Sequence, residues 1–212
     1  VLLSTAYLPS IAWCSAFWNA EKVVLEAHEH YQKGSIRNRA HIAGPNGVQL
    51  LSIPLLKGKH QQTPIQEVRI ANHEPWQRQH WRTIKTAYGN APYFEHYADG
   101  LEGFYTRQYE FLFEFNLALI EFVLVKKLGW KGALGVSVTF NTESLNEASQ
   151  APSGLNLCSN AEEHCTRSIG TASSTGYPQV FQEKHGFLPN LSILDLLLCC
   201  GKRSIEILER AT

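Results

Sequence analysis

The chain opens on an apolar run, Val1-Leu2-Leu3, and a second apolar run, Val23-Val24-Leu25, follows an aromatic stretch introduced by Pro9. Proline is favoured in the first turn of a helix, where its missing N–H leaves nothing unsatisfied. The pattern therefore predicts a short strand closing over Ser4 to Leu8, a helix from Pro9 through Asn19, and a buried strand over residues 22–28. Two strands joined through a helix run parallel. Residues 36–43 and 48–56 are β-rich and flank Gly44-Pro45-Asn46-Gly47, whose Asn-Gly signals a hairpin. After the turn at Thr63-Pro64, residues Gln66 to Ile70 read as a short strand returning to the sheet.

Beyond that point the periodicity becomes helical. Glu74-Pro75-Trp76 starts a helix to about Tyr88, Pro92 starts a second to about Ala98, and Gly100 to Leu128 holds one or two more. Val136 to Phe140 reads as one further strand, and residues 142–176 lose periodicity, as a long loop or lid would. Tyr177 to Phe187 fits no single pattern, whereas Leu191 to Cys200 and Ser204 to Arg210 form a helical pair separated by Gly201. The expected fold is α/β: a mixed sheet started by an N-terminal β-α-β unit and a β-hairpin, with a largely helical C-terminal half. One domain spans 1–212, with residues 1–72 mostly sheet-forming, 73–131 helical and 177–212 a C-terminal helical segment.

Composition supports one core. The 212 residues are 44% hydrophobic and include ten Phe, eight Tyr and five Trp, which suits a buried interior. Nineteen basic and nineteen acidic residues cancel to a formal charge of +0, so no long-range field draws the protein to nucleic acid. The apolar stretch Phe111 to Leu128 carries Glu114, Asn116, Glu121 and two lysines, so an amphipathic helix is expected there rather than an integral membrane segment. The N-terminus lacks the charged and small-residue features of a signal peptide, and the expected location is cytoplasmic. The five cysteines, at 14, 158, 165, 199 and 200, have no C-x-x-C spacing and read as reduced thiols.

Candidate chemistry concentrates between Glu26 and His41. Glu26, His28 and His30 alternate, so a continuing strand places them on one face, where a His–Glu pair serves as general base and orienter. A hydrogen-bonded strand end is the competing reading, and a third metal ligand at a firm spacing is missing. Arg37 and Arg39 flank Asn38 on the predicted hairpin strand, and guanidinium forks match phosphate or carboxylate. Ion pairs with Glu26, Glu29 or Glu67 compete with that role. On the next helix Trp76, His80, and Lys85 or Tyr88 fall near one face: a tryptophan stacks on a sugar or base and His80 moves a proton, unless the stripe is core. Tyr7 lies in the first β-α loop, where a helix N-terminus receives an anion. No nucleophile elbow surrounds Ser4, Ser10 or Ser35, and no motif names a cofactor.

Four features in order resemble the WbqC-like protein family. They are Ala6-Tyr-Leu-Pro9 before an aromatic helix, the acidic and His-rich strand end with Arg37-Asn38-Arg39, the Asn46-Gly47 hairpin into Leu51-Ser-Ile-Pro54, and Trp76-Gln-Arg-Gln-His80-Trp81 before Tyr88 and Pro92-Tyr-Phe-Glu95. The resemblance covers roughly residues 3–128 and continues in Gly186 to Asp195. It implies bacterial surface-polysaccharide biosynthesis of the O-antigen type and a transferase that moves an aminoacyl group, glycine in one proposal, onto a nucleotide-linked amino sugar. The alternative is a noncatalytic module of that pathway binding a sugar nucleotide or a protein. Many relatives carry Gln-Pro-Asn in the first loop and Asp-Asp-Val-Gln after the second strand, where this chain has Ser4-Thr5-Ala6-Tyr7 and Glu26-Ala27-His28-Glu29-His30. The catalytic candidates are thus His28, Glu26 and His80; the ligand-binding ones are Tyr7, His30, Arg37, Asn38, Arg39, Trp76 and Tyr88. The expected ligand is a small molecule such as a nucleotide sugar, and the oligomeric state stays open.

Overall fold

The computed structural model describes residues 1–56, 63–138 and 176–210. In chain order it contains β1 (Leu2–Ser4), α1 (Ile11–Trp18), β2 (Lys22–Glu26), β3 (Arg39–Gly44) and β4 (Gly47–Ser52). The helices α2 (Trp76–Tyr88), α3 (Phe94–Thr106) and α4 (Leu112–Ile120) follow, then β5 (Ala133–Val136), the single turn α5 (Gln182–His185), α6 (Ile193–Cys200) and α7 (Ser204–Arg210). The predicted β-α-β unit is present: β1 pairs in parallel with β2, and β5 pairs in parallel with the other edge of β2. Parallel and antiparallel pairs thus both form, divided between two sheets, because β3 and β4 pair only with each other.

Local chemistry explains where elements stop. Ser10 accepts the Trp13 N–H and caps α1, a contact worth about 1 kcal/mol. β2 ends at Glu26, earlier than the alternation suggests, because the Glu26 carboxylate accepts the His28 N–H at 2.7 Å and bends the chain. The hairpin turn is Pro45-Asn46 rather than Asn46-Gly47: Gly44 and Gly47 are paired, and Gly47 carries the left-handed backbone, φ +103°. Proline holds φ negative, so it occupies the turn's first central position and leaves the unusual dihedral to the glycine.

The expected strand over residues 66–70 is instead a 3-10 turn, Ile65–Glu67, followed by isolated bridges from Arg69 to Phe111 and from Ile70 to Leu55. Pro64 at its start presets the tight turn, and the segment ties α4 to the hairpin rather than extending a sheet. α4 runs directly into a π-helical segment, Glu121–Lys127, in which the closing N–H of Leu128 reaches Val123. The second predicted helix extends to Thr106, past Ala98. The final strand is centred earlier than predicted, at Ala133–Val136, and residues 139–140, like nearly all of the predicted loop at 142–176, lie outside the described residues.

α6 is buried along its whole length, Asp195 included. Each of its fully buried leucines contributes roughly 1.5–3 kcal/mol. The segment leading into it locks the first β-α loop: Ile11 N–H donates to Leu191 O, Ile193 N–H to Pro9 O, and Ala12 N–H to the Asn190 side chain. Ser192 also donates to His41 O, so the first loop, α6 and the hairpin are fixed together. Among the described residues, no helix is long and apolar enough to cross a membrane.

Candidate functional site

The carboxyl ends of β1, β2 and β5 lie side by side, since Ser4 is in register with Glu26 and Val136 with Leu25. Residues just beyond these ends occupy the place where open parallel sheets hold ligands. Glu26 is buried, and its Oε1 accepts both the His28 N–H and the Ser137 hydroxyl, each at 2.7 Å. Ser137 in turn accepts the Ala27 N–H at 2.9 Å. Past Glu26 the alternation ends: His28 is half-buried, His30 is exposed beside Pro64, and Glu29 turns inward. The three predicted side chains therefore do not share a strand face.

Glu29 meets Arg37. The guanidinium forks onto the carboxylate through Nε and Nη2, while Ser4 donates to Glu29 at 2.8 Å and accepts from Arg37 Nη2 at 3.1 Å. Arg37 and Asn38 lie in a turn before β3, not on it, so both can be buried together. Asn38 accepts the Tyr31 hydroxyl at 3.1 Å and donates to Ile53 O at 3.0 Å. Asn116 anchors the turn by donating to Arg37 O. Of the competing roles for Arg37, its geometry is that of an ion pair, with Glu29. Arg39 is half-buried, and among the described residues it donates to Gly34 O and leaves its Nε unpartnered.

A second polar chain starts from the same first loop. The Tyr7 hydroxyl lies 2.9 Å from His80 Nδ1 and 2.9 Å from the Tyr105 hydroxyl, and all three residues are buried. Burial lowers the His80 imidazole to about 4, only partly opposed by a hydrogen bond to the Ser52 backbone. A bond that favours the charged ring is one the ring donates; with Nδ1 facing Tyr7, the donor is Nε2–H. The protons then run from Tyr105 to Tyr7 to His80 Nδ1, and the imidazole is neutral near pH 7. Burial and the neighbouring hydroxyl hold Tyr7 well above the usual phenol range, and burial raises Tyr105 too. Trp76 packs edge-on against His80 at 5.2 Å, and Phe115 closes the aromatic box against Tyr7 and Trp76. The two chains touch through the backbone, since Tyr7 N–H donates to Ile36 O, one residue before Arg37.

Of the predicted residues, the fold joins Tyr7, His80 and Trp76, and it sends Tyr88 elsewhere. The Tyr88 hydroxyl accepts the Ala43 N–H at 3.0 Å and faces Asp195, which accepts Tyr177 at 2.5 Å and Gln179 at 3.1 Å. Among the described residues Asp195 forms no salt bridge, and burial raises its carboxyl above the usual range. Tyr105, Ser137 and Asp195 were not candidates from the sequence, because each is recruited from a distant element. Tyr105 additionally lines a cavity of about 570 Å³ with Arg78, Trp81, Arg82, Lys85 and Glu102. A neighbouring cavity of about 600 Å³ between the hairpin turn and α2 shares Arg82 and Thr86 with it. Among the described residues, no three His, Cys, Asp or Glu side chains converge as a metal site requires.

The model of the WbqC-like protein family matches residues 5–175, a stretch containing every residue of the two polar chains except Ser4. The chain is also similar to the uncharacterized protein Rv1507c of Mycobacterium tuberculosis (strain ATCC 25618 / H37Rv), at 24% identity over 228 residues, covering 98% of this chain and 96% of that one. No solved structure matches.

Proposed function

Because the chain belongs to the WbqC-like protein family, whose membership suggests a role related to polysaccharide biosynthesis, we propose that it is a group-transfer enzyme acting on a nucleotide-linked amino sugar. The observation that carries this reading is the Tyr105–Tyr7–His80 chain, a neutral imidazole whose free Nδ1 is wired through two hydroxyls to a residue lining a cavity. A titratable group shifted by burial and linked to a cavity is a frequent mark of a working site.

In the proposed reaction the sugar amine attacks the carbonyl carbon of an activated acyl donor, an ester or thioester. The C–N bond forms as the bond to the leaving group breaks. The amine proton enters at the Tyr105 hydroxyl, and each hydroxyl passes its own proton inward, so His80 Nδ1 receives one. An imidazole lowered to about 4 holds that proton weakly and returns it by the same path to the leaving group, as a relay should. Glu29, Arg37 and Ser4 act as the frame that fixes the first loop, and with it Tyr7.

The second reading is a noncatalytic module that binds a sugar nucleotide. It is favoured by the strand-end polar groups, since Glu29 pairs with Arg37 and Tyr31 with Asn38, which makes them a frame rather than a source of acid or base. The two readings separate on product formation. With UDP-glucosamine as acceptor and a glycyl thioester as donor, the enzyme reading expects a glycylated sugar by mass spectrometry. His80→Gln should then lower kcat by about 100-fold or more while changing affinity little. Binding without product from any acyl donor establishes the module instead.

A further inference from the structure

On the outer side of Tyr105, α2 presents Arg78, Arg82 and Lys85, at helical spacings of four and then three residues, into the cavity of about 570 Å³. Residues so spaced share a helix face and rise about 6 and then 4.5 Å along its axis. Among the described residues, none of these three cations is within salt-bridge range of a carboxylate. The one acidic side chain in the cavity, Glu102, is committed to the Trp81 indole N–H at 2.8 Å. The floor is aromatic and buried: Trp81 stacks on Tyr105 at 5.8 Å with 17° between their planes and on Phe94 at 6.2 Å, which leaves the two floor rings 8% and 5% exposed. Lys85 extends over the Trp81 ring, 5.9 Å from its centre.

We propose that this groove binds a diphosphate-bearing ligand, with Arg78, Arg82 and Lys85 holding the phosphates above the buried aromatic floor. Three unpaired cations in one concave site make a local positive field that a protein of zero net charge does not have elsewhere by default. Guanidinium forks bind phosphate oxygens in pairs. A soluble ligand is favoured over a lipid headgroup, since apart from the stacked Trp81 and Tyr105 the lining is polar or charged and offers nothing to insert among acyl chains. The inference rests on the proposed function only for what happens to the ligand after binding; its binding claim stands alone.

The test is isothermal titration calorimetry together with intrinsic tryptophan fluorescence, using pyrophosphate, UDP, uridine and phosphatidylglycerol vesicles as probes. The wild-type chain should bind pyrophosphate and UDP, with affinity falling as salt rises, and bind uridine at least about tenfold more weakly than UDP. Arg78→Gln with Arg82→Gln should weaken UDP binding about tenfold or more without lowering Tm by more than a few degrees, because both side chains are exposed. Unchanged UDP affinity in that variant, or vesicle binding with no UDP binding, overturns the proposal. His80→Gln separates the two ideas: retained UDP affinity with full turnover refutes the relay and leaves the groove, whereas lost turnover with no UDP binding to the wild-type chain refutes the groove and leaves the relay.

Discussion

Replacing Arg37 by alanine should destabilise the protein severely, whatever it does to ligand binding. Arg37 is 3% exposed and Glu29 7%, and the guanidinium supplies two of the hydrogen bonds that Glu29 receives, Ser4 the third. Without Arg37 the carboxylate stays buried with a single hydroxyl partner and no opposing charge. Breaking a buried pair in this way costs about 3–5 kcal/mol. For a chain of this length each kcal/mol lowers Tm by about 2–4 °C, so a fall of about 6–20 °C is expected. Urea unfolding followed by near-ultraviolet circular dichroism measures the loss. Glu29→Gln combined with Arg37→Met should recover much of it, because the pair then leaves no uncompensated charge. If Arg37→Ala lies within about 1 kcal/mol of wild type, or the two sites prove additive, the ion pair does not hold the first loop and the argument fails.

Three further outcomes follow from other parts of the fold. His80 titrates at about 4 in the folded chain against an ordinary 6.5, so the unfolded chain takes up the proton first; relative to His80→Phe, wild type should lose roughly 3 kcal/mol of stability as pH falls through that window, and none above it. Gly47→Ala should cost about 1–2 kcal/mol through its backbone alone, since φ is +103° and an added methyl meets no neighbour; an unchanged urea midpoint would show that the turn relaxes freely. Burial raises the Cys14 thiol and pushes Cys199 to about 12 and Cys200 to about 11, so peptide mapping after labelling native protein with an aromatic disulfide at pH 8 should find all three unmodified.

The β-α-β start, the hairpin and the α2 and α6 helices were legible because each rests on local periodicity plus a proline, glycine or capping residue near its end. The segment at 66–70 was misleading: its apolar residues alternate like a strand, yet Pro64 sets a 3-10 turn and the ladder partners come from loops. The stop of β2 depends on the Glu26 carboxylate accepting the N–H two residues ahead of it, which alternation does not encode. For the site, the sequence pointed to Tyr7, His80 and Trp76 separately, but Tyr105, 98 residues from Tyr7, joins them only through tertiary packing. Arg37 illustrates the opposite case. Its residue type suits a ligand, and only the inward turn of Glu29 reveals its partner. Of the groove's three cations the sequence pointed only to Lys85; Arg78, Arg82 and the aromatic floor join it once α3 packs against α2.

The most direct measurement is nitrogen-15 NMR of the His80 ring, recorded from acidic to neutral pH with and without UDP. A relay site predicts the neutral tautomer with hydrogen on Nε2, titration at about 4, and a shift of the Nδ1 resonance when UDP occupies the groove beside Tyr105. A ring that titrates near its ordinary 6.5, or that does not respond to saturating UDP, would contradict the account.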